Sequence, residues 1–263
     1  MRKRNKWRII AGTVLSLAVI IAVSLSGVMQ ALSKPSYDKI YKVMVKAGND
    51  IENSAYEELD SLGAGSIISM ADTFNSIDDK DKAEKIADKL SSVGINSNIQ
   101  QALLQVMTPY ELGVAGKYAK LITDNIGEAQ LIPVMKAVIA DAKKGYDYII
   151  DNATYSDSQL VMGEDLLING FNVFMDELYK DGQVLPYISL IELHKLTREQ
   201  MTQIFTESVK DMTITVSMDN KEDRSLHIDV TADWITAQVN IVKDKENVYI
   251  DGSVNEKEFQ MEY

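Results

Sequence analysis

The stretch DMTITVSMDNKEDRSLHIDVTADWITAQVNIVKD, residues 211–244, decides the fold class of this chain. Within it Met212, Ile214, Val216 and Met218 alternate with Thr213, Thr215 and Ser217, and Leu226, Ile228 and Val230 alternate with His227, Asp229 and Thr231. A period of two places every apolar residue on one side of an extended chain, so the pattern predicts strands with one buried face. Ile235, Ala237, Val239 and Ile241 continue it, then Val248 and Ile250, then Phe259 and Met261. The polar links at 219–224 and 244–247 are short enough for hairpins, which gives a C-terminal antiparallel β-meander of four to five strands.

Upstream, from Ser36 to about Lys210, the apolar period is helical. Three helix starts are written alike: Thr108-Pro109-Tyr110-Glu111, Ser156-Asp157-Ser158-Gln159 and Thr197-Arg198-Glu199-Gln200. In each, a hydroxyl can accept from the amide three residues on, and the Glu or Gln there can reach back to the cap's own amide. Met107 with Leu112, Tyr155 with Leu160 and Leu196 with Met201 bracket the boxes as hydrophobic staples.

Gly94, Gly145 and Gly182 read as helix ends, closing 83–93, 134–144 and 157–180, and Pro133 as the start or kink of its helix. Gly63-Ala64-Gly65-Ser66 reads as a turn between helices. The expectation is seven or eight helices on short loops, an irregular multi-helix antiparallel bundle. The fold class is therefore mostly α then β (α+β), with the helix starting at Arg198, or the bundle behind it, covering the apolar face of the sheet.

Ile9 to Leu32 is an uncharged, mostly apolar run of 24 residues directly behind Arg2, Lys3, Arg4, Lys6 and Arg8. About 20 such residues suffice to cross a bilayer as a helix, and the cations ahead of the run fix its N-terminal side in the cytoplasm. An N-terminal transmembrane helix is expected here, making the chain a single-pass cell-membrane protein with its bulk extracytoplasmic. The alternative is a signal peptide cleaved near Ser33, where Ala31 and Ser33 are the small residues a signal peptidase reads, and secretion of the rest. The expected organisation is 1–33 as basic tip and anchor or signal peptide, 34–196 as a helical domain, and 197–263 as a helix with the meander packed on it.

Composition narrows the function. Of 27 Lys and Arg, five precede the apolar run, leaving 22 against 39 Asp and Glu beyond it, a formal charge of −17. Such an excess repels polyanions, so no nucleic-acid partner is expected. Cysteine is absent, which excludes disulfides, thiolate catalysis and Cys-based zinc sites. The sequence holds no phosphate loop, nucleophile elbow, H-E-x-x-H, EF-hand loop or dinucleotide fingerprint, and no cofactor is expected.

Two weak constellations remain. Asp219, Glu222 and Asp223 at one predicted hairpin tip and Asp244 and Glu246 at another lie at the same end of a meander, where carboxylates can ligate calcium. His227 and Asp229, two apart on one strand face, form a His–carboxylate pair able to bind metal or move a proton. Solvated turns and a solvated strand face are the simpler readings of both. His194 beside Lys195 suits a helix C-terminus. Tyr110, Tyr118, Tyr146, Tyr148, Tyr155 and Tyr179 are candidates for a groove between helices, though at helical spacing they are more often core.

The function expected from these readings is a non-catalytic, membrane-anchored protein of the cell envelope in a protein-interaction or scaffold role, with a protein partner. The alternatives are an extracytoplasmic solute-, peptide- or calcium-binding module and a carboxylate-dependent hydrolase.

Overall fold

The computed structural model describes residues 40–95, 100, 104, 107–156, 159–219, 225–244 and 247–262. The apolar run 9–32 lies outside them, and among the described residues no helix is long and apolar enough to cross a membrane. The described helices are α1 (Ile40–Asn75), α2 (Ala83–Ser92), α3 (Pro109–Thr123), α4 (Glu128–Asn152), α5 (Glu164–Leu178), α6 (Leu185–Leu193) and α7 (Arg198–Ser208). The strands are β1 (Thr154–Tyr155), β2 (Gln159–Gly163), β3 (Thr213–Asp219), β4 (Ser225–Ala232), β5 (Ile235–Asp244), β6 (Asn247–Val254) and β7 (Lys257–Glu262). The α+β class and the C-terminal meander stand. The helical half is interrupted by one hairpin, β1–β2.

The chain groups into two compact units, each assembled from separated stretches of sequence. Unit 1 comprises Ala55–Ala140 and Glu177–Ile204. One of its cores joins Ile77, Ile86, Leu90, Met107 and Leu112. Ile86 and Leu90 stand one helical turn apart on α2, and both are fully buried. The expected end of this helix is present. Gly94 takes φ 82, and the amides of Gly94 and Ile95 donate to the carbonyls of Ser91 and Leu90 at 3.0 and 3.1 Å. Ile95 then packs on the Leu90 cluster, completing a Schellman motif.

Two of the three capping boxes form in this unit. Thr108 Oγ1 accepts from the Glu111 amide at 3.3 Å, and the Glu111 carboxylate accepts from the Thr108 amide at 2.6 Å. The staple pair Met107 and Leu112 is buried in the core just described. Thr197 and Gln200 repeat the exchange at the head of α7, at 2.9 and 3.3 Å. In α1, Gly63 alone departs from helical geometry, at φ 70 and ψ 160, so the expected turn is a kink between two helical stretches. A second cluster buries Ile126, Leu131 and Val134 against Ile67, Ile68 and Tyr187. Pro133 stands inside α4, beyond its first turn.

Unit 2 holds 40–54, Asp141–Asp176 and the chain from Phe205 on. Its sheet has seven antiparallel strands in sequence order, β1 to β7. The register pairs Leu160 with Val216, Val216 with Ile228 and Leu226 with Ile241, and Ile241 with Ile250. Each of these partners stands on the apolar side, where Leu160, Val216, Leu226, Ile235, Ile241 and Ile250 are buried. Phe171 of α5 stacks on Phe205 of α7 at 4.1 Å, and Trp234 Nε1 donates to the Ser208 carbonyl at 2.8 Å, tying the end of α7 to the β4–β5 turn.

The third box is a correction. Ser156 does not begin a helix over 157–180. Its amide donates to the Gln159 carbonyl at 2.8 Å, closing the β1–β2 hairpin, and the staple pair Tyr155 and Leu160 become cross-strand partners. The reason is tertiary. Leu160, Val161 and Met162 extend along β3, exchanging a short helical turn for five paired positions, and the helix starts at Glu164 instead. Gly145 is the second correction. It lies inside α4, where an added Cβ would stand 2.6 Å from the Gly170 carbonyl, so glycine serves close helix–helix approach and not termination.

Candidate functional site

The polar side of the meander carries the only candidate of the expected pairs whose side chains are described. Ser217, His227, Asn240, Asp251 and Gln260 lie in one cross-strand row through the register of β3 to β7. Side chains of neighbouring strands in such a row lie within contact distance of one another. His227 Nδ1 lies 2.6 Å from Asn240 Oδ1, Asn240 Nδ2 donates to Asp251 Oδ2 at 3.0 Å, and Ser225 Oγ lies 2.9 Å from His227 Nε2.

The direction of this chain follows from its far end. A carboxylate only accepts, so the Asn240 amide nitrogen faces Asp251 and its oxygen faces His227. His227 Nδ1 must then carry a proton, and whenever the ring is neutral its Nε2 accepts from the Ser225 hydroxyl. Four side chains from three strands are therefore linked from Ser225 to Asp251, and the Asn240 oxygen selects the Nδ1-protonated tautomer of the neutral imidazole.

His227 does not pair with Asp229. Asp229 Oδ1 instead accepts from Gln238 Nε2 at 3.1 Å, so the expected His–carboxylate pair is replaced by two parallel cross-strand links. Chemically, the Ser–His–Asn order resembles a nucleophile, base and orienter. However, Ser225 is 5% exposed, and its hydroxyl is spent on the ring. The network's demonstrable work is to fix the register of β4, β5 and β6. The sequence signal for it was present as Ser225 and His227 two apart on one strand. Asn240 and Asp251 enter only through the pairing of strands.

Of the calcium candidates, Glu222, Asp223 and Glu246 lie outside the described residues. Asp219 and Asp244 are placed by backbone only, pairing with Ser225 and Asn247 at the β3–β4 and β5–β6 connections. The strand ends that flank these two connections lie at one end of the sheet. Among the described residues no group of three or more His, Asp or Glu is arranged to hold a metal.

The tyrosines divide between the units and do not gather in one groove. In unit 1, Tyr179 donates to the Glu192 carboxylate, which also accepts from the Arg198 amide at 3.3 Å, while the Arg198 guanidinium lies 5.2 Å from the Tyr179 ring centre. This knot joins the chain after α5 to the ends of α6 and α7. In unit 2, Tyr146 donates to the Met44 carbonyl at 2.7 Å and Tyr155 to the Ile150 carbonyl at 2.6 Å. Burial pushes the Tyr155 phenol up to about 12 and raises that of Tyr146 further.

Asp81 and Glu111 serve local structure. Asp81 accepts from Lys85, Lys89 and the Asp78 amide, and these contacts, Lys85 first, hold its carboxyl well below the usual range. Glu111 is buried as the reciprocal half of a cap. In unit 1 an open depression of about 360 Å³ is lined by Gly65, Ser66, Ser69, Ser92 and Val93, a stripe of small residues with no charged group. The chain matches no family model, no curated protein and no solved structure.

Proposed function

We propose that this chain is a single-pass, membrane-anchored protein of the cell envelope, with its two units outside the cytoplasm and a non-catalytic, protein-interaction or scaffold role. The observation that carries the reading is the uncharged run Ile9–Leu32 directly behind five cations. Its length suits a bilayer span, and the cations set its orientation. The interaction role draws support from the sheet's polar side, where His227, Asn240, Asp251, Asp229 and Gln238 are engaged with one another and present an ordered surface. An acidic exterior of −17 keeps such a domain soluble and selects against polyanionic partners.

Fractionation of cells producing the full chain, followed by carbonate extraction and in-cell cross-linking, tests this. The expected result is full-length protein in the membrane pellet with a reproducible cross-linked protein. Untrimmed protein free in the cytosol would overturn the address, and membrane-bound protein with no reproducible partner would overturn the role.

A further inference from the structure

We propose that one end of unit 2, the end bearing Tyr41, Asp151 and Tyr155, faces the lipid surface, and that the opposite end of its sheet projects away from the membrane. This rests on the anchor reading above and adds an orientation to it.

Chain length sets how far this end can stand from the bilayer. The apolar run ends at Leu32, and Ile40 is already fixed in unit 2, 2% exposed, with Val43 and Ala47 buried behind it. Only residues 33 to 39 lie between. Seven residues span at most about 25 Å even when fully extended, so the start of α1 stays within that distance of the bilayer surface.

The contacts of Tyr41 identify what else is there. Its phenol donates to Asp151 Oδ1 at 2.9 Å, and its ring meets that of Tyr155 edge-on at 5.6 Å. The start of α1, the end of α4 and the β1–β2 hairpin therefore share one place. Strand register extends it. Gln159 pairs with Ser217, Asp219 with Ser225 and Asp244 with Asn247, so the strand ends that flank the β1–β2, β3–β4 and β5–β6 connections all lie at this end. The β4–β5 turn, closed by Ala232 opposite Ile235, and the β6–β7 turn, closed by Val254 opposite Lys257, lie at the other. The eight residues of β4 separate the two ends by about 26 Å.

Tyr41 is 42% exposed at the near end. The far end carries Asp233, Trp234, Asn255 and Glu256.

The absence of cysteine makes the test direct, because any introduced thiol is unique. Ser156→Cys, in the β1–β2 turn, and Asp233→Cys, in the β4–β5 turn, are each labelled with a donor dye in the full chain. The chain is reconstituted into phosphatidylcholine vesicles carrying a headgroup-labelled acceptor. Energy transfer is expected to be at least about twofold greater from position 156 than from 233, a difference set by the length of the strands between them. Inserting about twenty Gly and Ser residues between 33 and 39 should abolish the difference, since a flexible linker of that length no longer constrains the near end. Equal transfer from both positions in chains that co-sediment with the vesicles would overturn the orientation while leaving the anchor intact. Chains that fail to co-sediment, or that are recovered shortened, would overturn the anchor and this inference with it.

Discussion

Thr108 and Ser156 carry the same four-residue signal and put it to different uses. At Thr108 the hydroxyl and the Glu111 carboxylate satisfy amides that a helix start leaves bare. At Ser156 the same spacing closes a hairpin, with hydroxyl and amide both directed at the Gln159 carbonyl. Thr108→Ala should therefore cost about 1 kcal/mol, read from the urea midpoint at unchanged slope. Ser156→Ala, exposed and outside any helix cap, should stay within about 0.5 kcal/mol. Equal losses would mean that both residues cap helices. His227 belongs at this scale too. Its spacing from Asp229 was legible, but its bonds to Ser225 and Asn240 were not, because distance along the chain says nothing about the residue opposite on the next strand.

At the scale of elements, glycine shows how one residue type serves two needs. Gly94 sits at φ 82 with open space around its missing Cβ, so its role is conformational and local. Gly145 is helical and meets the Gly170 carbonyl, and Gly170 in turn meets Ile149, so its role is to let α4 and α5 touch. Gly145→Ala should destabilise by about 1 to 3 kcal/mol, because the added methyl meets backbone that cannot rotate aside. A neutral or stabilising result in thermal melts would show that the helices are free to separate. Helix propensity alone predicts the opposite sign, since alanine is the better helix former. The strands of the meander were readable because their apolar period is unbroken over 212–218 and 226–230. β2 was not, because five residues with three apolar in sequence fit a buried helix as well as a strand until β3 is there to pair with.

Across the whole molecule, protonation couples to unfolding through the tyrosines of unit 2. An exposed phenol loses its proton near pH ~10, whereas burial raises Tyr155 to about 12 and Tyr146 beyond. The folded state thus keeps protons that the unfolded state releases, so this contribution is complete below pH ~10 and declines as pH rises toward 12. Melting temperatures should fall over that window, with part of the phenolate absorbance at 295 nm appearing only on unfolding. Tyr155→Phe should make the fall shallower. Coincident ionisation of all tyrosines near pH ~10 with the fold intact would contradict the burial described for Tyr146.

The sequence by itself determined what depends on neighbours along the chain: a period of two in the meander, the caps at Thr108 and Thr197, the left-handed glycine after α2, and the uncharged run behind its cations. Each is fixed by interactions within a few residues, so one dimension contains the whole cause. Tertiary structure decided the rest. It converted Ser156–Gly163 from a helix start to a hairpin, used Gly145 for helix contact and drew His227 to Asn240. It also built each unit from separated segments. In all four cases the deciding partner lies far away in sequence, and the energy that selects the outcome exists only once the chain has brought the two together.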